Sequence, residues 1–356
     1  MRLTCPRNLA RLSALVVALG IGMPVSPAAA EQSATRTATK SSTRQTRKPA
    51  YSSQTSSVRK ARLERARTAA RQREQTRLRA LQALQVAMTP RYKTDAAGAI
   101  VPDVRAAAAI IFDPEDGKVL YEENSQDKRS IASITKVMTT VVFLEDNPDL
   151  SRVVTVERGD VYAASTTYLR ANDRITLDNV LHLTLIASDN AAARILARVS
   201  HGGTAAFVER MNEKALELGL ENTSFADPSG LNPDNISSAY DLSRLITFAA
   251  SDDRISPIMR TADYTVTTNR RTFQIRSTNR LVRGGDVEVM GGKTGFITKA
   301  GYCLATLLRL PQSDHKIAVV VLGATSNNGR FWETQHLFNW LSEKASDVFA
   351  KEIPQQ

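Results

Sequence analysis

Ser130-Ile131-Ala132-Ser133-Ile134-Thr135-Lys136-Val137-Met138-Thr139-Thr140-Val141-Val142 is the stretch from which the rest of the chain is best read. Its apolar members Ile134, Val137, Met138, Val141 and Val142 recur at i, i+3, i+4, i+7 and i+8, the spacing of one face of an amphipathic helix, and Ser130 fits the N-cap. Ser133 then falls in the first turn. Lys136, three residues on, projects from nearly the same side and reaches the serine hydroxyl. The positive end of the helix favours negative charge developing at that serine. Spacing alone proves nothing, because Ser57 with Lys60, Ser125 with Lys128 and Ser313 with Lys316 repeat it. Helical context is what separates Ser133.

A hydroxyl becomes a nucleophile when a base takes its proton. An ammonium is no base, so Lys136 needs a pKa well below the ordinary value of about 10.4. A second cation would lower it: two unit charges about 4 Å apart at an effective dielectric near 20 repel by roughly 4 kcal/mol, or about three pKa units. Lys293, in Gly291-Gly292-Lys293-Thr294-Gly295, is the candidate for that charge. Gly295 leaves room for a substrate backbone beside a strand, and Lys293 and Thr294 offer a charge and a hydroxyl to a carboxylate. Ser188-Asp189-Asn190 lies between helical stretches at 177–187 and 191–199 and reads as a polar interruption facing a cleft. Taken alone it reads equally as a helix cap, and the Ser-x-Asn form recurs at Ser277 and Ser326.

Outward from these motifs, residues 107–112 and 118–122 flank the turn Asp113-Pro114-Glu115-Asp116-Gly117 as a hairpin. Helical periodicity dominates residues 130–250, strand-like runs return at 287–296, 301–310 and 317–322, and an amphipathic segment closes at 331–349. Two strands, a helical middle, three strands and a closing helix predict a single α+β domain over residues 102–350.

The 47 Lys+Arg against 36 Asp+Glu leave a net charge of +11, and its location matters more than its size. Residues 1–30 hold three Arg and no acid, residues 31–90 hold 14 basic and three acidic residues, and residues 91–356 hold 30 and 33. A basic nucleic-acid-binding reading of the globular part is therefore excluded. Arg2, Arg7 and Arg11, an apolar run from Leu12 to Met23 and the small-residue end Ala28-Ala29-Ala30 predict a cleaved export signal over residues 1–30. Its apolar run is shorter than the roughly 18 residues of a spanning helix. Cys5 would leave with the signal, so Cys303 has no partner within the chain and the folded part needs a real core. Residues 31–101 read as a basic Ser/Thr/Arg-rich tether: polar to about residue 57, then helical over 58–88 with a thin stripe of Leu63, Ala66, Ala70, Leu78, Leu81 and Leu84. That helix reads either as a solvated spacer or as a cationic segment drawn to an anionic envelope surface.

The order Ser-x-x-Lys, Ser-x-Asn, Lys-Thr-Gly resembles that of the penicillin-binding D-alanyl-D-alanine peptidases, relatives of the serine β-lactamases. The resemblance extends to Ser130-Ile131-Ala132-Ser133, Asp227-Pro228-Ser229-Gly230-Leu231, Ser277-Thr278-Asn279-Arg280-Leu281 and Gly301-Tyr302-Cys303-Leu304. It implies a β-lactamase/transpeptidase-like fold, a five-stranded antiparallel sheet flanked by helices with a mostly helical subdomain. It further implies acyl transfer on peptidoglycan stem peptides, without cofactor or metal, inhibited by β-lactams. In this reading Ser133 is the nucleophile, Lys136 its base and Ser188 a relay to the leaving amine. Asn190 holds the substrate amide, Lys293, Thr294 and Gly295 form the carboxylate side, and the backbone N–H groups of Ser133 and Phe296 form the oxyanion hole. Phe296 stands where some relatives carry histidine. The chain runs 61 residues past Gly295, from which the expectation is an exported, periplasmic or wall-associated protein without a C-terminal membrane anchor.

Rival readings fare worse. A phosphate loop needs a glycine where Val287 stands, and His182, His201, His315 and His336 form no pair at zinc spacing. A β-lactamase needs a carboxylate to activate the deacylating water, and the nearest comparable segment offers only Asp227. A non-catalytic wall-binding scaffold would not require Ser133, Lys136 and Lys293 together. Cys303 and Tyr168 read as structural residues.

Overall fold

The computed structural model describes residues 53–311 and 314–349. The expected export signal at 1–30 and the polar tether at 31–52 lie outside the described residues. The chain divides into two units, residues 1–69 and 70–356, and of the first only part of helix α1 (Ser53–Met88) is described. Its Ala, Leu, Arg and Gln residues are good helix formers. Every residue from 57 to 86 is exposed, the leucine stripe included.

The segment after α1 was read as tether, yet β1 (Tyr92–Thr94) and β2 (Ile100–Pro102) pair there as a hairpin. Three residues per strand are too few for periodicity to declare itself. Asp95 holds the turn, its Oδ1 accepting from the N–H groups of Ala97 and Ala99 at 2.9 and 2.8 Å.

The main sheet has five antiparallel strands in the order β11-β12-β13-β3-β4. They are β3 (Ala108–Phe112), β4 (Val119–Glu123), β11 (Glu288–Ile297), β12 (Gly301–Arg309) and β13 (Lys316–Ala324). Period-two alternation sends Ile110, Phe112, Ala305, Leu307, Val320 and Leu322 to one face and Ile111, Leu304, Leu308, Val319 and Val321 to the other. The second face packs on Leu337, Phe338 and Leu341 of α10 (Asn327–Phe349) and on Leu281 of α9 (Leu281–Gly284). Both faces of β3, β12 and β13 are covered, which is why these three strands read as apolar runs.

The first face carries the helical part: α2 (Thr135–Glu145), α3 (Arg158–Val161), α4 (Leu177–Leu185), α5 (Asn190–Val199), α6 (Gly203–Glu217), α7 (Ala239–Ala250) and α8 (Ser256–Met259). Short antiparallel pairs interrupt it: β5 (Arg129–Ser130) with β8 (Ile236–Ser237), β6 (Val153–Thr155) with β7 (Arg174–Thr176), and β9 (Asp263–Thr267) with β10 (Thr272–Arg276). The α+β class and the five-stranded sheet agree with the sequence reading.

Two local expectations are corrected. Ser130 is no N-cap; it pairs with Ile236 in β5, and the chain enters α2 through a 3-10 turn, Ala132–Ile134, without a side-chain cap. Nor is α2 amphipathic, for its residues 135–144 are all buried. Its inward polar groups are satisfied by backbone: Thr140 Oγ1 donates to Lys136 O at 2.9 Å and Thr139 Oγ1 to Pro228 O at 2.6 Å. The central helix is thus buried along its length, and Ser133, just ahead of it, lines a cleft. No helix among the described residues is long and apolar enough to cross a membrane.

Candidate active site

Ser133 lies in the 3-10 turn, after Ala132 at φ 49°. A left-handed alanine costs about 1–2 kcal/mol, and the neighbours hold it in place. Gly230 sits so close that a Cβ there would lie 2.1 Å from Ala132 O. On the other side a Cβ at Gly295 would lie 2.5 Å from Ile131 O. Glycine at 295 therefore lets β11 press against the turn that carries Ser133, whereas the sequence reading reserves its space for a substrate backbone.

Lys136 is fully buried. Its Nζ lies 2.9 Å from Ser133 Oγ and 2.6 Å from Asn190 Oδ1, and donates also to the Ser229 carbonyl. Burial pushes its pKa down to about 7; the carboxylates of Asp227 and Asp189 oppose that, and Arg194 adds to it. The cause expected from the sequence was repulsion by Lys293, and this is corrected: loss of water is the main cause for Lys136. Lys293, also buried, is held well below the usual lysine range by burial first, then by Lys136 and Arg330.

Lys293 on β11 donates to Ser188 Oγ at 2.7 Å and to Thr294 O at 3.0 Å. Ser188 adopts φ 59° in the short link from α4 to α5. The two readings of Ser188-Asp189-Asn190 are both realised. Asp189 caps α5, its Oδ1 accepting from Ala192 N–H at 2.9 Å, while Ser188 and Asn190 turn to the cleft. Asn190 Nδ2 donates to Ala164 O at 2.7 Å, which fixes its oxygen toward Lys136. Burial raises the Asp189 pKa, and the Ala192 and Tyr168 N–H groups, Thr167 and Lys136 oppose this.

These groups meet at a cleft of about 420 Å³ between the β11 edge and the helical part. Ser133, Ser188, Asn190, Thr294, Gly295 and Phe296 line it, so all but two of the residues expected from the sequence reach its wall. Lys136 and Lys293 sit immediately behind Ser133 and Ser188, where water does not reach them. Thr294 Oγ1 donates to Thr278 Oγ1 at 2.6 Å. Phe296 is about half exposed (49%) and stacks on Tyr302 with centroids 4.2 Å apart.

Several contributors escaped sequence reasoning. Thr278 lines the cleft from a segment noted only as resembling the family and as a decoy triplet. Arg330, from α10, lines it too, its Nη1 donating to Gly295 O at 2.9 Å and to Cys303 O at 3.2 Å. Nothing local marks it; only the packing of α10 on β12 and β13 brings it there. Cys303 is buried and its thiol is pushed up to about 11, chiefly by burial, as suits a packing residue. Tyr168 stacks on Phe273 at 5.7 Å, and its N–H binds Asp189 Oδ2 at 2.6 Å. Among the described residues no group of three or more His, Cys, Asp or Glu side chains could hold a metal.

Comparison with known proteins gives one answer. Residues 94–326 match the family model described as D-alanyl-D-alanine carboxypeptidase. The chain is 32% identical over 244 residues to the D-alanyl-D-alanine endopeptidase of Escherichia coli (strain K12), covering 67% of this chain and 78% of that protein. It is 33% identical over 235 residues to a D-alanyl-D-alanine carboxypeptidase of Bacillus subtilis (strain 168), covering 63% and 59%. Among solved structures it is similar to the Streptomyces K15 DD-transpeptidase, with a TM-score of 0.63 at 28% identity over 67% of this chain and 97% of that one.

Proposed function

The chain belongs to the D-alanyl-D-alanine carboxypeptidase family, and from that premise we propose a serine peptidase that opens D-alanyl-D-alanine bonds of peptidoglycan stem peptides through an acyl-enzyme. The observation that carries the assignment is a buried lysine amine 2.9 Å from Ser133 Oγ with its pKa brought down to about 7. At neutral pH a large fraction of that amine is uncharged, and an uncharged amine takes a proton.

Ser133 Oγ attacks the carbonyl of the penultimate D-alanine as its proton passes to Lys136. Ser188, bound to Lys293 at 2.7 Å, relays a proton to the departing amine. Asn190 holds the substrate amide, and Lys293, Thr294 and Arg330 attract its carboxylate. Gly295 keeps the strand tight against the nucleophile turn, and the backbone N–H groups of Ser133 and Phe296 receive the developing oxyanion. Each such donor contributes about 3 kcal/mol to the transition state.

Deacylation distinguishes this enzyme from a β-lactamase. Asp227 has both oxygens engaged by its own loop, accepting from the N–H groups of Ser229, Gly230 and Asn232 at 3.1, 3.0 and 3.2 Å and also from Asn235. No Asp or Glu is among the described residues that line the cleft. Benzylpenicillin should therefore leave a long-lived adduct on Ser133. Intact-mass spectrometry checks it: a persistent adduct absent from Ser133→Ala supports the assignment, and rapid turnover without an adduct sinks it. Digestion of purified cross-linked wall fragments then separates the two peptidase activities. Loss of one alanine marks a carboxypeptidase and conversion of dimers to monomers an endopeptidase, and neither product would overturn the function.

The chain is proposed to be exported by residues 1–30 and held near an anionic envelope surface through residues 31–90. Helix α1 supports this: nine Lys and Arg against two Glu over residues 53–88, with every residue from 57 to 86 exposed. Such attraction weakens as salt rises. Deleting residues 31–90 should abolish salt-sensitive adhesion to anionic vesicles and leave penicillin acylation intact.

A further inference from the structure

The loop that follows α6 and its bond to Lys136 have no part in the motif chemistry, yet the geometry points to Asp227 as a positioning residue for the base. Through its own loop, Asp227 fixes the acceptor that aims the Lys136 lone pair at Ser133. This rests on the proposed role of Lys136 and deepens it.

A neutral amine has two N–H bonds and one lone pair. Lys136 Nζ has three neighbours: Ser133 Oγ at 2.9 Å, Asn190 Oδ1 at 2.6 Å and the carbonyl of Ser229. Two of them, the amide oxygen and the backbone carbonyl, only accept. They occupy both N–H bonds of the neutral amine, and the lone pair is left facing the one neighbour able to donate, the Ser133 hydroxyl. When Ser133 attacks, its O–H bond breaks and the proton becomes the third N–H of the ammonium, while both carbonyl bonds persist. Without the Ser229 carbonyl, one N–H would compete with the lone pair for Ser133.

Asp227 holds that carbonyl where it is. Its Oδ2 accepts from Ser229 N–H at 3.1 Å and from the Ser229 hydroxyl, and its Oδ1 from Gly230 N–H at 3.0 Å and Asn232 N–H at 3.2 Å. Gly230, at φ 80°, is the residue pressed on Ala132 O. One carboxylate thus ties together the acceptor of the base and the seat of the nucleophile. The charges facing Lys136 are Asp227 from this loop, Asp189 and Arg194 from α5, and Lys293 from β11. Against the burial that lowers the amine, Asp227 pulls toward the charged form.

Asp227→Asn tests the inference in the full chain, with penicillin acylation rate measured across pH 5 to 9, a range set by the wild-type limb expected near about 7. Removing the charge lowers the Lys136 pKa, so more neutral amine is present at a given pH and the acid limb moves to lower pH, by roughly half a unit or more. The plateau rate falls about tenfold because the lone pair is less well aimed. Asp227→Glu, which keeps the charge, should return the limb toward the wild-type position even if its plateau stays low. Should Asn not fold, Asp227→Ser retains a turn-forming acceptor without the charge and must shift the limb in the same direction. A lower plateau with an unmoved or raised limb would reduce Asp227 to a loop strut and overturn the inference. Failure of the underlying function looks different, since wild-type enzyme would then form no Ser133 adduct at all.

Discussion

Helix α1 and the cleft both depend on basic side chains, and they use them in opposite ways. The nine Lys and Arg of α1 are exposed to water, where charges act through a summed field that salt screens. Lys136 and Lys293 are buried, and loss of hydration lowers the pKa of both, to about 7 for Lys136. A lysine in solvent is a point charge, whereas the same side chain shut away behind a serine is a directed hydrogen-bond donor whose charge is harder to keep. The difference lies in the surroundings, because the residue type is shared.

The largest test of that contrast is Lys136→Arg, which keeps a cation but removes any prospect of a neutral amine. Acylation by benzylpenicillin should fall by about 10³-fold, whereas arginine for Lys60 in α1 should change nothing. Retained acylation in Lys136→Arg would break the comparison. Lys293→Ala comes next: with Ser188 losing its 2.7 Å partner and the substrate carboxylate a nearby cation, kcat/KM on a D-alanyl-D-alanine peptide should drop about 100-fold.

A third prediction concerns stability. The folded-state pKa of Lys136 is about 7 against an ordinary lysine value of 10.5, so in that window the unfolded chain binds more protons than the native one. Stability contributed by this group therefore rises with pH from about 7 to about 10.5 and is lost as pH falls through the lower value. Melting curves should show wild type gaining on Lys136→Met as pH rises through the window; a constant difference would mean that the amine keeps its charge on burial. The smallest effect belongs to α1. Replacing Arg59, Lys60, Arg62 and Arg65 with Gln should leave kcat/KM within about twofold, as for exposed sites generally, while lowering adhesion to anionic vesicles at low salt.

How much of this was legible beforehand varied with the range of the interaction responsible. Strands β3, β12 and β13 showed in the sequence because burial on both faces makes long apolar runs, β4 because a turn-rich link precedes it, and α10 because its apolar residues follow a helical spacing. The hairpins β1–β2 and β9–β10 did not, since strands of three to five residues at a polar surface carry little pattern. Ser133, Lys136 and Lys293 stood out through motif order. Arg330 did not, because its place in the cleft comes from α10 packing on β12 and β13, and Ser229 acts through a backbone carbonyl that every residue type carries. Ser130 misled for a related reason: a serine ahead of an apolar helix is a sound local signal for a cap, but pairing with Ile236 drew it into a strand.

What sequence alone determined was the inventory of chemistry: a hydroxyl and an amine three residues apart, a polar triplet between helices, a lysine on a strand, and the segregation of positive charge into the N-terminal quarter. Only the tertiary structure decided how that inventory is poised. Covalent spacing can bring Ser133 to Lys136, but removing water from an amine takes a complete shell of packed neighbours. Those neighbours come from α2, α5, the 227–235 loop and β11, segments up to about 160 residues apart in the chain. Desolvation belongs to the enclosed volume, so no local reading of residues could assign the lowered pKa to burial ahead of the second cation.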